Sequence, residues 1–243
     1  MQPDFSRPIL AMDTATTFLS LALQSEGKVW QIHVEAVNRQ AELILPNIQD
    51  LLVQAGITVA DLGVLVYNQG AGAFTGLRIG LGIAQGLATP FNTPLIGVPA
   101  LDAVAAQISG SNQLPKLILA ASDARMGEVF YAWYLANETG HKRLSTYSVG
   151  KASEILLPEN TLFSEIVGVG NAFALDNLPD FFRQPNAVKM CADMPTALDF
   201  LRLAQSGHYA AVPAARAELL YVRDKIALTA AEQAARRISG SLK

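Results

Sequence analysis

Two stretches of this chain follow one plan. "PILAMDTATT", beginning at Pro8, and "KLILAASDARMG", beginning at Lys116, each run an apolar strand into an aspartate and then a short polar turn. Asp13 and Asp123 occupy equivalent places. Two further strand-like runs follow each: "FLSLALQ" and "VWQIHVEAV" after the first, "EVFYAWYLA" and "RLSTYSVG" after the second. The first pair is joined by "SEG", a three-residue turn with glycine last, which suits a hairpin. A chain that starts the same succession twice points to a duplicated α/β unit.

Between the copies the periodicity changes. In "QAELILPNIQDLLVQAG", Ala41, Ile44, Leu45, Ile48, Leu51, Leu52 and Ala55 recur at helical spacing and Gly56 marks the stop. Pro46 inside it lacks a backbone donor and predicts a kink or a late start. "VLVY" and "PLIGV" read as buried strands and "ALDAVAAQI" as a helix. The "SGSNQLP" loop then separates an expected N-terminal lobe, residues 1–106, from a C-terminal lobe, residues 107–243. In the latter, "SEIL" opens a short helix, "EIVGVG" is a buried strand, and "TALDFLRLAQSG" and "TAAEQAARRI" are helices, the second more exposed.

The segment from Gly70 to Leu87, "GAGAFTGLRIGLGIAQGL", holds six glycines. It is not a Walker loop, because Leu77 and Arg78 follow Gly76 where lysine is needed. Gly70-x-Gly72-x-x-x-Gly76 is one residue too long for a dinucleotide fingerprint. Free N–H groups at the start of a helix near Phe74 leave a backbone anion site open. On that helix Gly72, Gly76, Gly80, Ala84 and Ala88 form one smooth row, with Gly82 and Gly86 in a second row beside it. A helix-interior glycine costs up to about 1 kcal/mol against alanine. Such a row returns that cost when another backbone comes close. That backbone belongs either to the same domain or to a second chain, and spacing does not choose.

Composition narrows the chemistry. The 243 residues carry a net charge of −3, with 51% hydrophobic and 16% charged. Affinity for nucleic acid comes largely from neutralising phosphates, and the basic residues here are scattered apart from Arg236, Arg237 and Lys243. Apolar runs are interrupted by Arg78, Gln85 or Pro90, short of the roughly 20 residues a membrane helix needs. "MQPDFSRPIL" lacks an export-signal core, and the single Cys191 suits a reducing compartment, so a cytoplasmic location is expected. Asp13 beside Thr14, Thr16 and Thr17 suits either magnesium-bound phosphate or a turn-stabilising Asx arrangement; Asp123, with Arg125 two residues on, is its counterpart. His33, His141 and His208 are too scattered for a metal motif, and His33 reads as a sheet residue. No G-x-S-x-G occurs, and nothing pairs Cys191 with a base.

"ILAMDTAT", "LP" inside the first helix, "GAGAFTGLRIGLGIAQGLA", "PLIGVPALDA" and "DARMGEVFYA" together closely resemble the bacterial TsaB (YeaZ) family, from about Ile9 to Tyr131, with a weaker echo at "LLYVRDKIA". The resemblance implies an α/β, actin-like (ASKHA) architecture of duplicated ribonuclease-H-like lobes. It implies a subunit without catalytic or metal-binding residues of its own, needed by the threonylcarbamoyltransferase TsaD to form threonylcarbamoyladenosine in tRNA. The assembly includes the ATPase TsaE, and tRNA is met indirectly. A homodimer competes for the same surface. No cofactor of its own is implied, but ATP or ADP at the boundary with TsaD is.

The family docks through its first two helices, about Gln40 to Gln54 and Phe74 to Ala88 here. That implies Gln40, Ile44, Asn47, Ile48 and Leu51 from the first, and Gly76, Arg78, Ile79, Gly80, Ile83, Ala84 and Leu87 from the second. With the smooth row, the resemblance assigns the glycines to docking. Asp13, Thr14, Gly70, Gly72, Asp123 and Arg125 are the nucleotide-proximal candidates. Arg78 and Arg125 match the family motifs. Gln40 stands where the family often has histidine, and Ala71 and Ala73 where it often has proline and serine. The competing function is an autonomous actin-like phosphotransferase using Asp13 and the "GAG" turn; a metallopeptidase lacks its histidine motif.

Overall fold

The computed structural model describes residues 1–108, 116–137, 140–159, 166–175, 179–183, 187–190 and 194–223. The "SGSNQLP" loop, Cys191, the "TAAEQAARRI" segment and the basic residues near the C-terminus lie outside them.

The first sheet contains β1 (Ile9–Asp13), β2 (Phe18–Ser25), β3 (Lys28–Glu35), β4 (Val64–Gly70) and β5 (Leu95–Pro99). The second contains β6 (Lys116–Arg125), β7 (Glu128–Asn137), β8 (Gly140–Arg143), β9 (Ser148–Gly150), β10 (Ile166–Val169) and β11 (Ala187–Met190). Outward from one edge the first runs β3-β2-β1-β4-β5 and the second β8-β7-β6-β10-β11. In each, three strands pair antiparallel and two more add on parallel. The duplication expected from the two strand–aspartate stretches is therefore a duplication of topology. β1 lies between two neighbours and is buried at every residue, whereas the edge strand β3 is largely exposed.

Among the described residues four helices accompany these strands: α1 (Gln40–Ala55), α2 (Phe74–Ala88), α3 (Ala100–Ala106) and α4 (Ala197–Gln205). α1 and α2 cover one face of the first sheet, where Ile44, Ile48, Leu51, Leu52, Ala84 and Ala88 pack on Leu10, Met12, Leu21, Leu65 and Tyr67. The opposite face is covered by α4, through Phe200, Leu201 and Ala204 on Ile9, Ala11, Val64, Val66 and Ile96. α3 lies between the sheets: Ala100 and Ala103 join that same cluster, while Leu101, Val104 and Ala105, with Ile108 just beyond the helix, pack on Ile118, Ala120, Ala132 and Val167 of the second sheet. Each sheet has an apolar face that must be buried, and the helix following one sheet supplies it to the other.

Four expectations need correcting. The span 107–243 is not one lobe, because α4 and the short β12 (Ala211–Val212), which pairs with β5, return to the first sheet. "RLSTYSVG" is not one strand: β8 ends at Arg143, the Ser145 hydroxyl accepts from the Trp133 amide, and β9 rejoins β7 further along. "SEIL" contributes only to a single 3-10 turn, Ala152–Glu154. Pro46 does not delay α1, which starts at Gln40 and passes through it. Its ring lies on the exposed side, so only the bond to the Glu42 carbonyl is forfeited.

Candidate functional site

The two aspartates that end β1 and β6 are engaged in matching turns. Asp13 Oδ1 accepts from the Ala15 amide at 2.8 Å and from Asn68 Nδ2 at 2.9 Å. Asp123 Oδ1 accepts from the Arg125 amide at 2.7 Å, and its own amide donates to Asn171 Oδ1 at 2.9 Å. Each is an Asx turn, with a side-chain oxygen closing on the amide two residues ahead. Burial raises the Asp13 carboxyl above its ordinary value, opposed by those donors. Asn68 in turn accepts from the Gly70 amide at 2.9 Å, linking the ends of β1 and β4. Of the two readings the sequence allowed for Asp13, these bonds build the turn.

Thr14 and Gly72 are likewise occupied from within. The Thr14 hydroxyl donates to the Gly76 carbonyl at 2.7 Å, and the Ala73 amide donates to the Ala15 carbonyl at 2.9 Å. The Ala73 amide, at the start of α2, is therefore spent on the β1–β2 turn, a backbone group that an anion would otherwise have used.

The glycine row faces the same turn. A Cβ on Gly72 would lie 2.7 Å from that of Ala15; one on Gly76 would overlap the Thr14 carbonyl; one on Gly80 would lie 2.7 Å from Thr14 Oγ1. Ala84 and Ala88 continue the row at 0% exposure. Gly76, Gly80 and Ala84 are thus corrected as docking residues: the close backbone that the row requires belongs to this chain. The second row differs. Gly82 and Gly86 are exposed, and an added Cβ would meet nothing within 4 Å.

On α1 the same correction applies to Ile44, Ile48 and Leu51, which point into the core at 0%, 2% and 1% exposure. Gln40 is buried with Nε2 donating to the Thr16 carbonyl at 2.9 Å, which pins the start of α1. Asn47 is half-buried and bonds the Leu43 carbonyl. The exposed apolar groups are Leu45 and Val53, at 48% and 66%, with Pro46 between them. Ile79, Ile83 and Leu87 are half-buried against the core, and Arg78 is exposed. The docking residues that the family resemblance implies therefore fall mostly on the sheet-facing side of each helix.

Arg78 sits with its guanidinium 3.3 Å from the Phe74 ring centroid and 5.6 Å from that of Tyr221. A shallow groove runs beside it, lined by Leu81, Gly82, Gln85, Glu218 and Leu219. Arg125, at the tip of the β6–β7 hairpin, is exposed and pairs with Asp123 at 3.4 Å. In the sequence, residues 219–223 stand out only as part of the weaker family echo; in the fold the carbonyls and amides of residues 217–223 close on Tyr67, Gln69 and Gln85, a role the sequence reading missed. It also missed Asn68 and Asn171; their recurrence at the ends of β4 and β10 is a signal that aligning the two copies would have given.

The histidines sit in different settings. His33 stacks on Phe18 with centroids 4.6 Å apart, and His141 packs edge-on against Tyr134. Burial lowers the His141 pKa. His208 meets the Ser206 hydroxyl. Among the described residues no three His, Cys, Asp or Glu side chains converge as a metal group would need, and no helix is long and apolar enough to cross a membrane.

Residues 34–229 match the family model for TsaD, the tRNA N6-adenosine threonylcarbamoyltransferase. The tRNA threonylcarbamoyladenosine biosynthesis protein TsaB of Escherichia coli K12 is 37% identical over 232 residues, 90% of this chain and 96% of that protein. The chain belongs to the TsaB (YeaZ) family. YeaZ from Pseudomonas aeruginosa superimposes with a TM-score of 0.75 at 29% identity, covering 88% of this chain and 99% of that one. A second solved structure, described as an uncharacterized protein with similarity to peptidase YeaZ from the same organism, gives 0.76 at 29% identity, covering 89% and 100%. The paired sheets are accordingly the duplicated ribonuclease-H-like lobes of the actin-like fold.

Proposed function

We propose that this chain serves threonylcarbamoyladenosine formation in tRNA as a non-catalytic partner subunit of a TsaD-type threonylcarbamoyltransferase. The observation that carries this reading is the use of Asp13. In an actin-like phosphotransferase an acid at the end of the first strand would be free for magnesium-bound phosphate; here it is buried and bonded to Ala15 and Asn68. An autonomous phosphotransferase is correspondingly disfavoured. The name carried by the E. coli relative supports the pathway.

Docking is assigned to the outward sides of α1 and α2: Leu45, Pro46 and Val53 on one, Arg78, Gly82 and Gly86 on the other, with Ile79, Ile83 and Leu87 at the margin. A helix with glycines outward lets a partner helix approach closely, and an apolar centre with a polar rim is the usual anatomy of such an interface. The same face would serve a homodimer in the absence of TsaD. TsaE and any ATP or ADP belong to the assembled complex, in the cytoplasm, with tRNA held mainly by the partner.

The test is reconstitution. The purified chain alone should neither hydrolyse ATP nor modify tRNA, and modification should need TsaD added together with it. The double variant Leu45→Asp/Val53→Asp, with both substitutions at exposed sites, should fold normally and fail to co-purify with TsaD. ATP turnover by the isolated chain that Asp13→Ala abolishes would instead establish the phosphotransferase. Unimpaired binding by the double variant would remove α1 from the interface.

A further inference from the structure

In open α/β sheets, ligands enter at the carboxyl ends of the parallel strands. In this molecule both sets of carboxyl ends meet one piece of chain. At the first sheet, the Leu220 amide donates to the Gln69 carbonyl at 2.8 Å, and the Glu218 carbonyl accepts from the Tyr67 hydroxyl at 2.9 Å. The Leu220 carbonyl lies against Gly70, at φ 128°, so closely that a Cβ there would overlap it. At the second sheet, Arg223 donates to the Ala124 carbonyl at 3.2 Å and pairs with Glu128, at the two ends of the β6–β7 turn. Tyr221, between these anchors, tilts on Phe74 at 5.8 Å.

A second set of bonds ties the lobe junction at α3. Asp102 of α3, the helix between the sheets, accepts from Tyr134 and Tyr147 at 2.7 Å through Oδ1 and from Tyr209 at 2.9 Å through Oδ2. Tyr134 and Tyr147 belong to the second lobe, and Tyr209 to the chain returning to the first.

We propose that residues 217–223 form a strap that occupies the cleft at the carboxyl ends of both sheets and fixes the angle between the lobes. Proteins that close around a ligand need a hinge between domains. Here the chain's own backbone takes the ligand's place, and Arg223 is the peg in the second lobe. The molecule acts as a body of set shape. This holds whether or not the surface of α1 and α2 docks on TsaD.

The strap is tested in the full chain with Arg223→Ala and, as a milder cut of the same pair, Glu128→Gln. Spin labels at Gln49 and Lys142, both exposed and on different lobes, report the interlobe distance in a Cys191→Ser background. Hydrogen exchange reports the Leu220 amide. The expected wild-type result is one narrow distance that magnesium–ATP leaves unchanged. Arg223→Ala should broaden it and speed Leu220 exchange about tenfold, the loss expected for a charge-assisted hydrogen bond. Glu128→Gln should shift both in the same direction by less. The proposal fails if both variants keep the wild-type distance and exchange within about twofold. It fails equally if magnesium–ATP moves the wild-type lobes. If Arg223→Ala does not fold, Glu128→Gln decides alone.

Discussion

One substitution, glycine to alanine, should change sign along the length of α2. Helix propensity favours alanine by about 1 kcal/mol at every interior position, so the sign is set by what the new methyl meets. At Gly82 and Gly86 it meets nothing within 4 Å. The double variant should therefore gain about 2 kcal/mol, a rise in Tm of roughly 4–8 °C for a chain of this size. At Gly80 the methyl would stand 2.7 Å from Thr14 Oγ1 and push that hydroxyl off the Gly76 carbonyl. Losing one such bond costs about 1 kcal/mol, so Gly80→Ala should be close to neutral. At Gly76 the methyl overlaps the Thr14 carbonyl and stands 3.0 Å from the Ala15 Cα. Both are backbone atoms of the β1–β2 turn, and overpacking against them should cost roughly 2–3 kcal/mol net. Urea unfolding of the three variants against wild type measures all of this. A stabilised Gly76→Ala, or a destabilised double variant, would refute the assignment of the first row to internal packing. In the same samples the double variant should lose affinity for TsaD while gaining stability, because the second row is the one left outside.

Two further outcomes follow from the buried polar groups. The Asp13 carboxyl is raised above its ordinary value of 3.8 chiefly by burial, so in that window the folded chain holds its proton where the unfolded chain has released it. Its contribution is thus most favourable at low pH and is lost as pH rises; the stability of wild type relative to Asp13→Asn should increase from pH 7 towards pH 4, and a flat difference across that range would contradict the burial argument. Asp102→Leu would leave the hydroxyls of Tyr134, Tyr147 and Tyr209 without their acceptor. At about 1–3 kcal/mol for each unsatisfied group, the variant should lose at least about 3 kcal/mol by urea unfolding, whereas Asp102→Asn, which keeps one acceptor oxygen, should lose less.

The sequence by itself determined the duplicated sheets, since strand periodicity is local and each copy carries its own strand, aspartate and turn. It determined that α1 and α2 are helices and that α2 must touch some backbone closely, because only that contact compensates a row of glycines. Tertiary structure decided whose backbone it is. Thr14 is 62 residues from Gly76 in the chain, and a close approach carries no mark of its source in the spacing. The docking residues that the family resemblance implies on α1 fall inward for a related reason: an apolar stripe at helical spacing belongs to the core before it belongs to any partner. Residues 217–223 were invisible as a cleft filler because their bonds to Gln69, Tyr67 and Ala124 run mostly through main-chain atoms. Every residue type but proline presents the same backbone amide and carbonyl, so only the folded path of the chain could bring those groups together.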